Sequence, residues 1–289
     1  MTLSPRIVVV HRRTELADLL ARHGTRGQVD FFLHSRGRSL DEVTERDAAD
    51  QAALTAVSAA IPLDWRRGSV ERDDLARFLF APEDVVVVVG QDGLVANVAK
   101  YLSGQPVIGV NPAPGGVLAR HAPAAAARLL HAVATGSATH EARTMVEAVS
   151  DDGQRLLALN EVYVGHPGHQ TARYRIADAE RQASSGVLVG TGTGATGWCG
   201  SAWRERRSTL ALPTPTERRL AWFVREAWSS PSTGVERTEG SITDEPLVVD
   251  VESDGLVVFG DGIEQDRVQL GWGQRLEVRL AATQLNLVN

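Results

Sequence analysis

Val85-Val86-Val87-Val88-Val89-Gly90-Gln91-Asp92-Gly93-Leu94 is the stretch whose reading decides the fold. An unbroken run of β-branched apolar residues predicts a strand buried on both faces, as in a parallel sheet covered by helices. The run breaks on a Gly-x-Asp-Gly turn, and helical spacing resumes over Val95 to Leu102. A strand, a glycine turn and a helix N-terminus in succession bring unpaired backbone N–H groups together, and these favour an anion. A carboxylate at the apex, Asp92, repels bound phosphate unless a metal or a reacting hydroxyl accounts for it, which points to phosphoryl transfer. Asp92 equally suits a helix cap in an ordinary sheet-to-helix connection. The turn alone leaves both readings open.

Outward from this turn, the first part of the chain alternates strand and helix. Arg6 to Val10 reads as a strand, and Thr14 to His23 as a helix with Thr14 as its cap and Gly24 as its stop. Val29 to Leu33 reads as a second strand. Ser39-Leu40-Asp41-Glu42 reads as a capping box opening a helix that ends before Pro62. Arg72 to Phe80 reads as a short helix, Val107 to Val110 as a strand ending in Asn111-Pro112, and Pro123 as the start of an alanine-rich helix ending near Gly136. Such alternation places ligands at the carboxyl ends of parallel strands.

From about Arg143 the chain reads as mostly β. Thr144 to Val149 and Leu156 to Val164 flank an Asp151-Asp152-Gly153 turn, a hairpin signal. Further strands are expected at Thr171 to Ile176, Gly186 to Val189, Leu220 to Arg225, Leu247 to Val251, Leu256 to Phe259 and Leu276 to Leu280. Many short strands separated by turns such as Asp254-Gly255 and Asp261-Gly262 suggest a layered β domain. Arg207 to Arg218, with Pro213 and Pro215, reads as a mobile surface excursion. The expected organisation is an α/β N-terminal domain with a parallel sheet over residues 1–138 and a mostly-β C-terminal domain over 139–262. Residues 263–289 are then a tail returning to the first domain.

Composition bounds the class. In 289 residues, 43% hydrophobic and 23% charged content is ordinary for a soluble globular protein. A formal net charge of −6 argues against a nucleic-acid binder, whose footprint is basic. No apolar run reaches membrane-spanning length, and Met1 to Arg13 lacks the apolar core of a signal peptide. The single cysteine, Cys199, excludes an internal disulfide framework and fits a reducing cytoplasm.

Four blocks, in order, carry a family resemblance: Gly90-Gln91-Asp92-Gly93-Leu94, Pro106-Val107-Ile108-Gly109-Val110-Asn111, Leu159-Asn160-Glu161-Val162, and Thr191-Gly192-Thr193-Gly194-Ala195-Thr196-Gly197-Trp198. With them the chain resembles the NAD kinase family, within the superfamily that includes diacylglycerol and sphingosine kinases. There the corresponding blocks are Gly-Gly-Asp-Gly-Thr, a strand into an Ile-Asn turn, an Asn-Glu pair heading a β strand, and Thr-Pro-Thr-Gly-Ser-Thr-Ala-Tyr. The resemblance implies transfer of the γ-phosphoryl of ATP, or of polyphosphate, to the adenosine 2′-hydroxyl of NAD, with Mg2+ arriving on ATP. No metal site made by the protein and no nucleic-acid or membrane partner is expected, and the assembly is expected to be a homodimer or homotetramer.

Carried over residue by residue, the resemblance makes Asp92 the base that orients and deprotonates the hydroxyl, a task of positioning more than of proton affinity. Gly90 and Gly93 let the backbone approach phosphate, and Asn111 closes its strand beside the nucleotide. Asn160 and Glu161 hold ribose and the adenine edge. Thr193, Gly194, Thr196, Gly197 and Trp198 cradle the dinucleotide, with Thr196 offering a hydroxyl and Trp198 an aromatic face. An Asn-Glu pair at the head of a regular strand sends its side chains to opposite faces, so both can meet one ligand only if the strand is irregular there.

The chain also departs from the family pattern. Gln91 and Leu94 replace glycine and threonine, Gly192 and Gly197 replace proline and alanine, Ser185-Gly186 stands for Asp-Gly, and Trp198 stands for tyrosine. These changes, with Asp92 retained, favour an active kinase with a modified pocket. The alternatives are a kinase of the same superfamily acting on another hydroxyl, or a nucleotide-binding protein that senses without catalysis. Elsewhere, His166 and His169 read as a polar hairpin loop more than as metal ligands. Arg204, Arg206 and Arg207 form a solvated charge run placed where donor phosphates could lie. Cys199 reads as a small buried thiol and Tyr163 as strand packing.

Overall fold

The computed structural model describes residues 5–168, 170–176 and 180–289, which fall into two compact units, Met1–Glu141 with Asn286–Asn289, and Ala142–Leu285. In the first, β1 (Arg6–His11) leads to α1 (Glu15–His23), α2 (Arg26–His34) and α3 (Leu40–Ala60). Then come β2 (Arg66–Glu71), β3 (Val85–Val89), α4 (Asp92–Ala99), β4 (Pro106–Val110) and α5 (Ala126–Ala134). The strands lie in the order β2-β1-β3-β4, all parallel. All of Val85 to Val89 is buried, because β3 has a parallel neighbour on each side and helices over the sheet. Burying each such valine contributes roughly 1.5–3 kcal/mol.

Local signals set several boundaries here. Thr14 caps α1 by accepting the Ala17 N–H, and Gly24 ends it at φ 83°. Ser39 caps α3 by accepting the Asp41 N–H at 3.0 Å. Pro123 opens a 3-10 turn that runs into α5, and Arg72–Arg77 is likewise 3-10. Val29 to Leu33, expected as a strand, is part of the helix α2. Thr25 caps that helix through the Gln28 N–H, and Val29 and Leu33, four apart, are fully buried against Leu16, Leu19 and Val43. An apolar run this short carries either period, and packing against α1 and α3 selects the helical one.

The second unit is a sandwich. Its strands are β5 (His140–Ser150), which enters from the first unit, β6 (Arg155–Ala158), β7 (Glu161–Gly165), β8 (Ala172–Ile176), β9 (Glu180–Ser184) and β10 (Gly186–Gly190). After α6 (Trp198–Arg206) follow β11 (Leu220–Arg225), β12 (Glu239–Ile242), β13 (Leu247–Val251), β14 (Leu256–Gly260), β15 (Ile263–Leu270) and β16 (Arg275–Val288). One layer runs β12-β11-β10-β7-β14-β15, and the other contains β16-β13-β8-β9 with β5 and β6 beside β16. The core between them joins Val162, Val164, Val187 and Val189 to Tyr174, Ile176, Val249 and Leu276.

Several details differ from the sequence reading. Residues 263–285 belong to the second unit, and only Asn286–Asn289 lies in the first. The Leu156 to Val164 stretch is two strands, with Leu159 and Asn160 between them. Strands β2, β9, β12 and β15 carry charges or glycines that mask their alternation. The segment from Arg207 to Arg218 is tied down: Thr144 donates its N–H to the Pro215 carbonyl at 3.0 Å and its hydroxyl to the Glu217 carbonyl at 2.9 Å. No helix among the described residues is long and apolar enough to cross a membrane.

Candidate functional site

In the first unit, Asp92 lies in the first turn of α4, one residue after the cap position held by Gln91. Its carboxylate is not idle. Oδ2 accepts the Val117 N–H at 2.8 Å, and Oδ1 accepts those of Leu118 and Ala119 at 2.9 and 2.8 Å. A carboxylate has about four lone-pair positions, so these three bonds leave one, on Oδ2. The close wrap requires glycine at 116, where a Cβ would lie 2.0 Å from the Ala119 carbonyl oxygen and 2.9 Å from Asp92 Oδ1. Nothing in the local sequence of the Asp92 turn signals this loop, whose donors come 25 to 27 residues later.

Gly90 closes β3 at φ 155°, whereas Gly93 is exposed with open space where a Cβ would go. The Asn111 side chain accepts the Ala113 N–H at 3.0 Å, and its backbone N–H donates to the His121 carbonyl at 2.9 Å. Gly90, Gln91 and Asn111 line a cavity of about 600 Å³ at the carboxyl ends of β1, β3 and β4. The chain leaves β1 toward β2 and leaves β3 toward β4, so this is the switch point at which open α/β sheets bind ligands. Arg12, Arg13, Arg22, Arg38 and Arg46 line it as well. Glu15 takes Arg38 through both carboxylate oxygens, at 2.5 and 3.0 Å, and also meets Arg46 at 3.3 Å. Arg12 and Arg22 stand exposed. The sequence reading missed this cluster because the helices that converge here spread its arginines over 35 positions.

In the second unit the strand is interrupted at Leu159 and Asn160, so Asn160 lies in the break and Glu161 opens β7. The Asn160 backbone is fully used: its N–H donates to Asp261 Oδ1 at 2.7 Å, and its carbonyl accepts the Thr191 N–H at 2.9 Å. Burial, with the charge of Asp261 adding to it, pushes the Glu161 carboxyl up to about 7. Thr191, buried and not singled out from sequence, organises the loop that follows. Its hydroxyl donates to the Leu159 carbonyl at 2.6 Å and accepts the N–H groups of Thr193 and Gly194 at 3.1 and 3.3 Å. Gly194 packs on the pair itself, since a Cβ there would lie 2.3 Å from the Asn160 carbonyl oxygen and 3.0 Å from Glu161 Oε2.

The remaining loop residues are engaged internally. The Thr193 hydroxyl accepts from the buried Arg143 guanidinium at 3.4 Å, and Thr196 donates its hydroxyl to the Thr193 carbonyl at 3.0 Å. Gly197 is exposed and caps α6. Trp198 stacks on Tyr163 with ring centroids 5.6 Å apart, and the Arg225 guanidinium lies 5.1 Å from its centroid. Part of its half-buried ring is therefore used within the fold. Arg206 donates to the Thr238 and Val224 carbonyls, while Arg204 and Arg207 are exposed. Ser185 gives its carbonyl to the Tyr163 hydroxyl. Cys199 is buried, and burial raises its thiol. His166 accepts the Gly168 N–H, and His169 lies outside the described residues.

No family model matches the chain. It is 30% identical over 230 residues to an NAD kinase of Haloarcula marismortui, across 72% of this chain and 75% of that relative. The chain belongs to the NAD kinase family. This membership makes it a kinase. A NAD kinase of Methylococcus capsulatus is 34% identical over 131 residues, 41% of this chain and 45% of that one. The crystal structure of yeast NADH kinase complexed with NADH matches 100% of this chain and 84% of its own with a TM-score of 0.61 at 14% identity. That likeness shows the NAD kinase fold, with its α/β N-terminal region and antiparallel β-rich C-terminal region.

Proposed function

We propose that this NAD kinase family member moves the γ-phosphoryl of ATP to the adenosine 2′-hydroxyl of NAD, giving NADP. The observation that carries the reading is the break between β6 and β7 at Leu159 and Asn160, with Glu161 opening β7. There the backbone is held by Asp261 and Thr191, which leaves two polar side chains available to a ribose or an adenine edge. Thr193, Gly194, Thr196 and Gly197 supply the neighbouring wall. Asp92 uses its remaining Oδ2 position to orient the accepting hydroxyl, consistent with catalysis by placement. The arginine-lined cavity of the first unit suits the donor's phosphates, with Arg12 and Arg22 as exposed cations.

Among the described residues no cluster of His, Cys, Asp or Glu could hold a metal. A magnesium ion arriving with the donor would be held by phosphate oxygens and water and would neutralise charge there. The test is purified protein with Mg-ATP and NAD, with NADP read by mass spectrometry. The reading expects NADP to accumulate, and its absence overturns it. A second reading, a kinase of another hydroxyl acceptor, is favoured by Trp198, which stands where the family has tyrosine and stacks on Tyr163 within the fold. A screen of nucleosides, dinucleotides and sugars as acceptors separates the two.

A further inference from the structure

Asp261 reads in sequence as one half of an Asp-Gly hairpin turn, and it does take the left-handed backbone of such a turn, at φ 53°. Its side chain does something else. Oδ2 accepts the Leu159 N–H at 2.9 Å and Oδ1 accepts the Asn160 N–H at 2.7 Å, while its own N–H donates to the Glu161 carbonyl at 3.1 Å. Leu159 and Asn160 lie in the gap between β6 and β7, where the sheet ladder offers these two amides no partner. A carboxylate is well suited to replace it, having acceptors on both oxygens.

We propose that Asp261 is a positioning residue of the dinucleotide pocket, holding the Leu159–Glu161 backbone open so that Asn160 and Glu161 lie beside the Thr191–Gly197 loop. The part about the dinucleotide rests on the function proposed above, whereas the hold on Leu159 and Asn160 does not. A second consequence follows from the same placement. The carboxylate that fixes the backbone also sets a negative charge next to Glu161 and, after burial, is what lifts that carboxyl toward neutrality. Among the described residues, Cys199 from α6, whose thiol Glu161 in turn raises, Gly194 of the following loop, and Gly190, its partner across the sheet, also lie beside Glu161. One residue thus helps to fix where Glu161 sits and adds to burial in raising the pH at which it becomes an acceptor for a hydroxyl or exocyclic amine.

The test compares the ligand-free full chain with Asp261→Asn and Asp261→Ser. Asparagine keeps one acceptor and no charge; serine keeps neither of the two carboxylate bonds. Amide hydrogen exchange at Leu159 and Asn160 is expected to speed up by about tenfold or more in the variants. The Glu161 carboxyl, followed by carbon NMR, is expected to titrate at lower pH. With NAD as the probe, affinity should fall, and by less at about pH 6 than at about pH 8, because the variants ionise Glu161 earlier. Unchanged exchange together with an unchanged Glu161 titration overturns the proposal. So do Leu159 and Asn160 amides that are already unprotected in the wild type, a measurement independent of whether the variants fold. Wild-type protein that binds no NAD overturns the dinucleotide part alone, and the exchange and titration data then decide the role of Asp261.

Discussion

Glu161 has a conflict built into it that a single substitution exposes. Its carboxyl is largely buried with Asp261 beside it, which raises its proton affinity from the ordinary 4.5 to about 7. The folded chain therefore holds this proton more tightly than the unfolded chain does. The group costs no stability below about pH 4.5, and stability is lost as the pH rises through 7. At ~1.4 kcal/mol for each tenfold change in proton affinity, the full deficit above neutrality is about 3 kcal/mol. Glutamine has nearly the same shape and carries no charge. Glu161→Gln should therefore stabilise the ligand-free protein by up to about 3 kcal/mol at pH 8, and by less than about 1 kcal/mol at pH 5. In a thermal melt this corresponds to a rise of roughly 5–10 °C at pH 8. The same variant should bind NAD about ten- to a hundredfold more weakly by calorimetry, because a neutral amide replaces a charged acceptor. A melting temperature unchanged at pH 8, or raised equally at both pH values, refutes the reasoning.

Three further outcomes follow from the geometry. Asp92→Asn replaces one oxygen by an amide that donates, so one of three backbone N–H groups loses its acceptor; unfolding should become easier by about 1–3 kcal/mol, and turnover with Mg-ATP and NAD should drop by ~10²-fold or more. Undiminished turnover in a folded variant means that another group orients the hydroxyl. Asn160→Ala should leave the ligand-free melting temperature unchanged, because the backbone makes the structural bonds at this position, and should weaken NAD binding by roughly 1–3 kcal/mol; calorimetry beside a melt checks both. Gly194→Ala puts a methyl group 2.3 Å from the Asn160 carbonyl oxygen, which should cost about 1–3 kcal/mol of stability; a melting temperature equal to wild type would show that the loop yields.

Much of the architecture is legible in short stretches of the chain. The Val85–Val89 run, the Thr14 cap and Gly24 stop of α1, and the Asp151-Asp152-Gly153 hairpin each act within a few residues of themselves. Where the local pattern was ambiguous, packing chose: Val29 and Leu33 became one face of a helix because a buried cluster waited for that face. The site divides the same way. The sequence by itself places a carboxylate at a phosphate-type turn and an Asn-Glu pair at a strand head. Only the tertiary structure decides that Asp92 holds a loop 25 residues downstream, that Trp198 lies against Tyr163, and that Asp261, 101 residues beyond Asn160, holds that pair in place. Helix caps, turns and hydrophobic periods are written in neighbouring residues. The partners of Asp92 and Asp261 are backbone amides, which every residue but proline carries alike, so no side-chain pattern announces them before the chain has folded.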